Sequence, residues 1–309
     1  MFSSRPIWWR QPGAQPASGM ARQIVVVTEI EGTLLEPSTH SVLKQREGFD
    51  FLAAHGIPLV IHSKRTRAEI ERVRQSLDLL TPFISEHGSA LFLPYGSFPF
   101  VPDKAHRSLS GEVIEFGKKY GDVVDALRMA LRESAVEAVD FSELTIEEVA
   151  RELRITNLEA QLVKLREYSE LVRLVEDDDV ALGRVISALR RRGLRPVRQG
   201  HYHLVSATPD SAESLRTLRA LWRLAWGDHV VVGIGESEDD VPWLQQVDVA
   251  IIVQGDRPHV PVRALAKLPT VHVGRWTGRL GWSEAIFDHV GKLLTPPREW
   301  VAAGAGKHA

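Results

Sequence analysis

No cysteine occurs among the 309 residues, which excludes disulfides and thiolate metal sites and leads to the expectation of a reducing, cytoplasmic compartment. No apolar run comes near the roughly 20 residues that a membrane-spanning helix needs, so no membrane partner is expected. An excess of one charge is missing too. Lys and Arg number 38 against 40 Asp and Glu, a formal net charge of −2, and nothing resembles a polyanion-binding surface, so no nucleic-acid partner is expected. The first 22 residues lack the apolar core of about 7–15 residues that a signal peptide has. They carry Trp8, Trp9, Arg10 and several Pro, Gly and Gln. Residues 1–22 read as a flexible arm, with docking of the two tryptophans on the body or on a protein partner as the alternative. What is present is an ordinary globular mix, 44% apolar and 25% charged, in a chain long enough for about two domains.

Three apolar runs organise that chain. Ile24–Val27 reads as a strand buried on both faces, the kind a parallel sheet places at its centre. It stops at two acids one residue apart, Glu29 and Glu31, followed by Gly32, whose missing side chain lets backbone N–H groups approach a ligand. A second buried strand, in Gly56–Ser63, follows a helix ending before Gly56, and leads into an amphipathic helix from Lys64 to Leu77. A third, His229–Gly235, ends in the acidic run Glu236-Ser237-Glu238-Asp239-Asp240. Acids and a hydroxyl at the carboxyl ends of strands lie where open α/β sheets bind ligands. Taken alone, Ser63 is equally an N-cap serine, whereas the solvated turn that an acidic loop usually is fits less well here, since the acids stand at a strand's carboxyl end in step with Glu29 and Glu31.

Between these runs the pattern changes. Pro82–Pro94 reads as two short strands around a Gly-Ser turn. Residues 112–133, 145–156 and 157–166 carry helical periodicity. Strands at 168–175 and 195–205, flanking a helix at 178–192, complete a segment that does not continue the strand-helix alternation. It reads as an inserted α+β domain at 98–206. The core is then 23–97 with 207–295, and 296–309 is a loose tail.

The run strand-Glu29-x-Glu31-Gly32-Thr33-Leu34, the strand ending in Ser63, and Gly235-Glu236-Ser237-x-Asp239-Asp240 together resemble the haloacid dehalogenase superfamily of phosphatases. Ser63-Lys64-Arg65-Thr66-Arg67-Ala68-Glu69 with Glu86-His87-Gly88 narrows the resemblance to the mannosyl-3-phosphoglycerate phosphatase branch. It implies a Rossmannoid core with a parallel sheet and an inserted cap of the C2 type. It also implies a nucleophilic carboxylate at position 29, a general acid/base at 31 and Mg2+ held by Glu29, Glu31, Glu236 and Asp240. Phosphate contacts would come from Gly32, Thr33, Ser63, Lys64 and Arg65. From the cap, Arg166, Ser169, Arg198, His201 and His203 would face a phosphorylated sugar or glycerate compound, arginine suiting such anions through its planar fork. Two histidines at i, i+2 with no third ligand call for no metal of their own.

The sequence departs from that family at the positions that matter most. Aspartate is usual where Glu29, Glu31 and Glu236 stand, and asparagine where Asp239 and His87 stand. The family's lysine would fall at Ser211, and no lysine occurs from Gln199 to Ala266. Glutamate adds about 1.5 Å of reach where a displacement of about 1 Å can cost 100-fold. Two functions follow: a protein that binds a phosphorylated ligand or a partner with weak or no phosphomonoesterase activity, or an active Mg2+-dependent sugar-phosphoglycerate phosphatase with Glu29 as nucleophile.

Overall fold

The computed structural model describes residues 23–34, 45–175, 178–208, 210–253, 260–268, 270–274 and 281–294. The arm at 1–22 and the tail at 296–309 lie outside the described residues. The chain forms two compact units, one of residues up to Leu59 together with those from Trp226, the other Val60–Ala225.

The first unit starts with β1 (Gln23–Thr28), whose Val25, Val26 and Val27 are fully buried, and α1 (Arg46–Ala54), which buries Phe49 and Leu52. β2 (Leu59–His62), all but its first residue in the second unit, leads to α2 (Arg67–Ser76), β3 (Phe83–Ser85) and β4 (Ala90–Pro94). β5 (His106–Arg107) and β6 (Gly111–Glu115) extend this sheet in the order β2-β3-β4-β6-β5. Next come α3 (Tyr120–Ser134), β7 (Ala138–Asp140), α4 (Ile146–Leu153), α5 (Asn157–Val163) and β8 (Ser169–Leu174). α6 (Asp179–Arg191), β9 (Arg195–Gln199) and β10 (Tyr202–Ser206) follow, then α7 (Glu213–Trp226). The first unit resumes with β11 (His229–Gly235), α8 (Val241–Leu244), β12 (Val249–Val253) and α9 (Val262–Leu265). β13 (Val271–Gly274), α10 (Gly281–Ala285) and α11 (Gly291–Leu294) complete it, the last two joined by a π-helical turn at Ile286–Val290.

Strands of the first unit lie in the order β13-β12-β11-β1 and are all parallel. Parallel strands covered on both faces need continuous apolar runs, and the valine-rich stretches supply them. In the second unit a separate antiparallel sheet, β7-β8-β10-β9, stands apart from the β2–β6 sheet. Its alternation sends Val172, Leu174 and Val205 into a core with Val123, Leu127, Val185 and Leu189 from α3 and α6. Leu171 and Leu204 point the other way, onto Val149, Ala160 and Val163 from α4 and α5. A sheet that buries both faces against its own helices is an inserted α+β domain with its own core, and the whole is an α/β protein.

One stretch differs from the expectation. Residues 112–133 do not form one helix: Gly111–Glu115 is β6, paired antiparallel with β4 through Leu91↔Ile114 and Phe92↔Val113. Val113 and Ile114 are buried, and edge pairing on β4 overrides a local pattern that fits either period. Among the described residues, no helix is long and apolar enough to cross a membrane.

Candidate active site

In the first unit the acids sit at the carboxyl ends of neighbouring parallel strands. β1 and β11 pair in register through Thr28↔Ile234, and the Glu29 amide continues that ladder by donating to the Ile234 carbonyl at 3.0 Å. Glu29 is 3% exposed, and its Oε1 accepts the Ile30 amide at 2.9 Å. The strand end is anchored from below. Trp282, fully buried, donates from Nε1 to Thr28 Oγ1 at 3.1 Å.

Gly32 turns the chain in the left-handed region, φ 63°, and a Cβ there would overlap the Glu236 carboxylate. Glu236 from the β11 side therefore reaches over the Glu29–Thr33 turn, into the hollow that the glycine leaves open. Asp240 shapes that reach. Its Oδ2 accepts the Glu236 and Ser237 amides at 3.0 and 2.9 Å and the Ser237 hydroxyl at 2.9 Å, while Oδ1 accepts Trp243 Nε1 at 3.2 Å. With four donors on it and 1% exposure, Asp240 orders the loop that carries Glu236. Thr33 Oγ1 is buried without a hydrogen-bond partner.

The chemistry of these oxygens suits a small divalent cation. Carboxylate and carbonyl oxygens from Glu29, Glu236 and Glu31 are hard ligands, and Mg2+ keeps several waters rather than needing a full protein cage. Among the described residues, no cluster of three or more histidine, aspartate and glutamate side chains could hold a metal ion.

The second unit holds the hydroxyl and basic residues. The Ser63 hydroxyl accepts the Arg65 amide at 3.3 Å, and Arg65 lies 3.8 Å from Glu69. Ser63 is not the N-cap of α2. That role falls to Thr66, whose side chain accepts the Glu69 amide while Glu69 returns a bond to the Thr66 amide at 2.9 Å. The Thr66-x-x-Glu69 box is visible in the sequence and distinguishes the two. Ser211, where the resemblance implies a lysine, packs its backbone against Gly88 and places its carbonyl 3.4 Å from His62 Nε2.

Of the residues expected to face substrate from the cap, Arg198 and His203 sit opposite each other on β9 and β10, with His201 in the turn that joins these strands. Arg166 and Ser169 are buried and bonded to each other at 3.0 Å. His203 is 4% exposed on the strand face that also carries Val205, His201 lies exposed in the β9–β10 turn, and exposed Arg198 donates from Nε to the Gly200 carbonyl at 3.0 Å. The residue that sequence reasoning left without a role is Glu86. It is fully buried, and its carboxylate accepts the Glu167 and Tyr168 amides at 2.8 and 3.0 Å and the Ser169 hydroxyl at 2.5 Å. Burial pushes its pKa above the usual carboxylate value, against the pull of Arg166 and these donors.

A cleft of about 400 Å³ in the same unit is lined by Arg67, Phe92, Glu115, Lys119, Glu167 and Tyr168, among others. Partial burial raises the Glu167 pKa; Arg67 and Lys119 oppose this, while Glu115 and Glu71 add to it. A carboxyl whose folded pKa lies above its unfolded value contributes stability below the unfolded value, and loses it as pH rises through the folded one. Glu167→Gln should therefore melt higher than wild type at pH 7.5, and the gap should close by pH 4. Thermal melts at the two pH values check this; a gap that widens toward pH 4 contradicts the sign.

A phosphatase of the haloacid dehalogenase superfamily from Bacteroides thetaiotaomicron matches with a TM-score of 0.59 at 17% identity, covering 90% of this chain and 99% of its own. That likeness gives the fold: a Rossmannoid core with an inserted cap. A glucosyl-3-phosphoglycerate/mannosyl-3-phosphoglycerate phosphatase from Methanococcoides burtonii is 31% identical over 268 residues, 87% of this chain and 97% of that protein. One of the same description from Persephonella marina is 26% identical over 269 residues, 85% of this chain and 96% of its own. No family model matches the sequence. The chain belongs to the glucosyl-3-phosphoglycerate/mannosyl-3-phosphoglycerate phosphatase family.

Proposed function

We propose that this protein binds a phosphorylated sugar-glycerate compound together with Mg2+, and hydrolyses it weakly or not at all. The observation that carries this reading is the Glu236 carboxylate lying over Gly32. A phosphoryl group approaching that glycine meets a carboxylate extended by one methylene, and like charges repel unless a cation lies between them. Glu29 and Glu236, with the Glu31 carbonyl, are the proposed cation ligands, and Asp240 holds Glu236 in place. The cation supplies charge neutralisation of the phosphoryl oxygens. Gly32, Thr33, Ser63, Lys64 and Arg65 are the proposed phosphate contacts, and Arg166, Ser169, Arg198, His201 and His203 in the proposed cap, residues 98–206, the substrate-facing set. Thr33 fits its role through a buried hydroxyl that no protein group engages.

A second reading is favoured by the burial of Glu29 at a strand end. In it a Glu29 oxygen attacks phosphorus and the ester P–O bond breaks. Glu31 gives its proton to the departing alkoxide, then takes one from the water that hydrolyses the acyl phosphate. The same residues serve both readings, and turnover separates them.

Binding should depend on the cation. Mg2+ at millimolar concentration should raise the melting temperature of wild type by mass action, and Glu236→Ala should abolish that rise. Calorimetric titration with mannosyl-3-phosphoglycerate should show binding with Mg2+ and none with EDTA. Equal affinity in the two buffers would remove the cation from the site.

A further inference from the structure

We propose that Glu86 is a positioning residue that couples the segment Arg166–Ser169 to the Ser63–Arg65 loop. Two sets of bonds meet on it. Its carboxylate takes the Glu167 and Tyr168 amides and the Ser169 hydroxyl. Its own amide donates to the Arg65 carbonyl at 3.0 Å, and the next amide, of His87, donates to the Ser63 carbonyl at 3.0 Å. One residue therefore carries the start of β8 on its side chain and the loop after β2 on its backbone.

The backbone at this point is held against its preferences. Glu86, His87 and Gly88 follow one another with φ of 46°, 58° and 88°. Two consecutive non-glycine residues in the left-handed region persist only where the surroundings hold them there. The holding groups are the bonds just named, with Ser89 behind them. Ser89 is fully buried, and its hydroxyl lies 2.6 Å from the Glu86 carbonyl and 2.5 Å from Thr208 Oγ1. Its carbonyl accepts the Phe116 and Gly117 amides at 2.8 and 3.1 Å, and a Cβ on Gly117 would crowd both Ser89 and Thr208. The chain thus enters and leaves the stretch between Gly117 and Thr208 against one residue next to the strained turn. A turn pinned at both ends and strained in the middle has few ways to yield, so a shift of Arg166–Ser169 is passed to the amides at positions 86 and 87, and from them to the Ser63 and Arg65 carbonyls.

Replacing the carboxylate with an amide breaks the coupling without changing size. Glu86→Gln keeps one acceptor but turns an NH2 toward groups that are all donors. Amide hydrogen exchange in the ligand-free protein should then quicken at Glu167 and Tyr168 by on the order of tenfold or more, and also at positions 86 and 87, with the β7–β8 ladder unchanged. Inorganic phosphate is the probe for coupling. In wild type, phosphate protection at Ser63–Arg65 should extend to Glu167 and Tyr168, whereas in Glu86→Gln it should stop at His87, a readout that simple loosening would not alter. Faster exchange at Glu167 and Tyr168 with position 87 unmoved would overturn the proposal, as would phosphate protection that never reaches Glu167 in wild type. If Glu86→Gln does not fold, Ser169→Ala, which deletes one donor, should give the same pattern at smaller amplitude, and exchange confined to 167–169 there would overturn it equally. Only this last, ligand-dependent step rests on the phosphate-binding reading. Phosphate that leaves Ser63–Arg65 unchanged in wild type contradicts that reading, and the ligand-free comparison still decides the coupling.

Discussion

Changing Glu29, Glu31 and Glu236 to aspartate and Ser211 to lysine in one protein should raise phosphate release from mannosyl-3-phosphoglycerate by at least about 1000-fold over wild type. The expectation combines two terms. Each glutamate extends its carboxylate by about 1.5 Å, and a reacting atom misplaced by about 1 Å can cost 100-fold. In the structure the extra reach has visible consequences: Glu29 folds back onto the Ile30 amide, and Glu236 fills the hollow over Gly32. A cation missing beside developing negative charge costs about 2–4 kcal/mol more, by analogy with loss of an oxyanion donor. Groups that act as a unit are strongly non-additive, so each single change should alter turnover by less than about tenfold. Initial rates with saturating Mg2+ measure all six proteins: wild type, the four single variants and the fourfold variant. A fourfold variant no faster than wild type would mean that neither reach nor charge limits the chemistry.

Trp282→Ala should destabilise the protein by about 3–5 kcal/mol, as expected for truncating a fully buried aromatic side chain. Three bodies rest on this ring. Phe49 packs against it at a centroid distance of 4.9 Å, Gly48 is so close that a Cβ there would clash with it, and its Nε1 holds Thr28 Oγ1. The last contact links packing to the site, since Thr28 is the residue before Glu29. Trp282→Phe keeps most of the ring and loses the hydrogen bond, so it should cost about 1 kcal/mol. Denaturant melts measure both. The Phe variant should retain Mg2+-dependent stabilisation, because the strand end survives, whereas near-equal losses for the two variants would place the value of Trp282 in its N–H and not in its bulk.

The parts of the fold that one segment decides alone were legible in the sequence. Ile24–Thr28 and His229–Gly235 are continuous apolar runs that only a doubly covered parallel strand explains, and the structure pairs them directly. Thr66, Thr145 and Thr156, each followed three residues later by glutamate, mark helix starts that all form as capping boxes. What depends on a distant partner was not legible. Val113 and Ile114 fit a helix face as well as a strand, and only pairing with Phe92 and Leu91 decides it. Glu86 stands in a motif the sequence shows, but its carboxylate is satisfied by residues 81 to 83 positions away. Asp240 differs, since its donors all lie within four residues of it in the chain. Its place beside Glu236 makes it an expected cation ligand, and its four hydrogen bonds order the loop that carries Glu236.

The most direct test of the account is the rate of phosphate release by wild type from mannosyl-3-phosphoglycerate with Mg2+, run beside Glu29→Gln. A site that binds but scarcely reacts predicts that the two rates coincide near background while calorimetry still detects Mg2+-dependent binding of the same compound. Robust wild-type turnover that vanishes in Glu29→Gln would contradict it, and would establish a working glutamyl nucleophile.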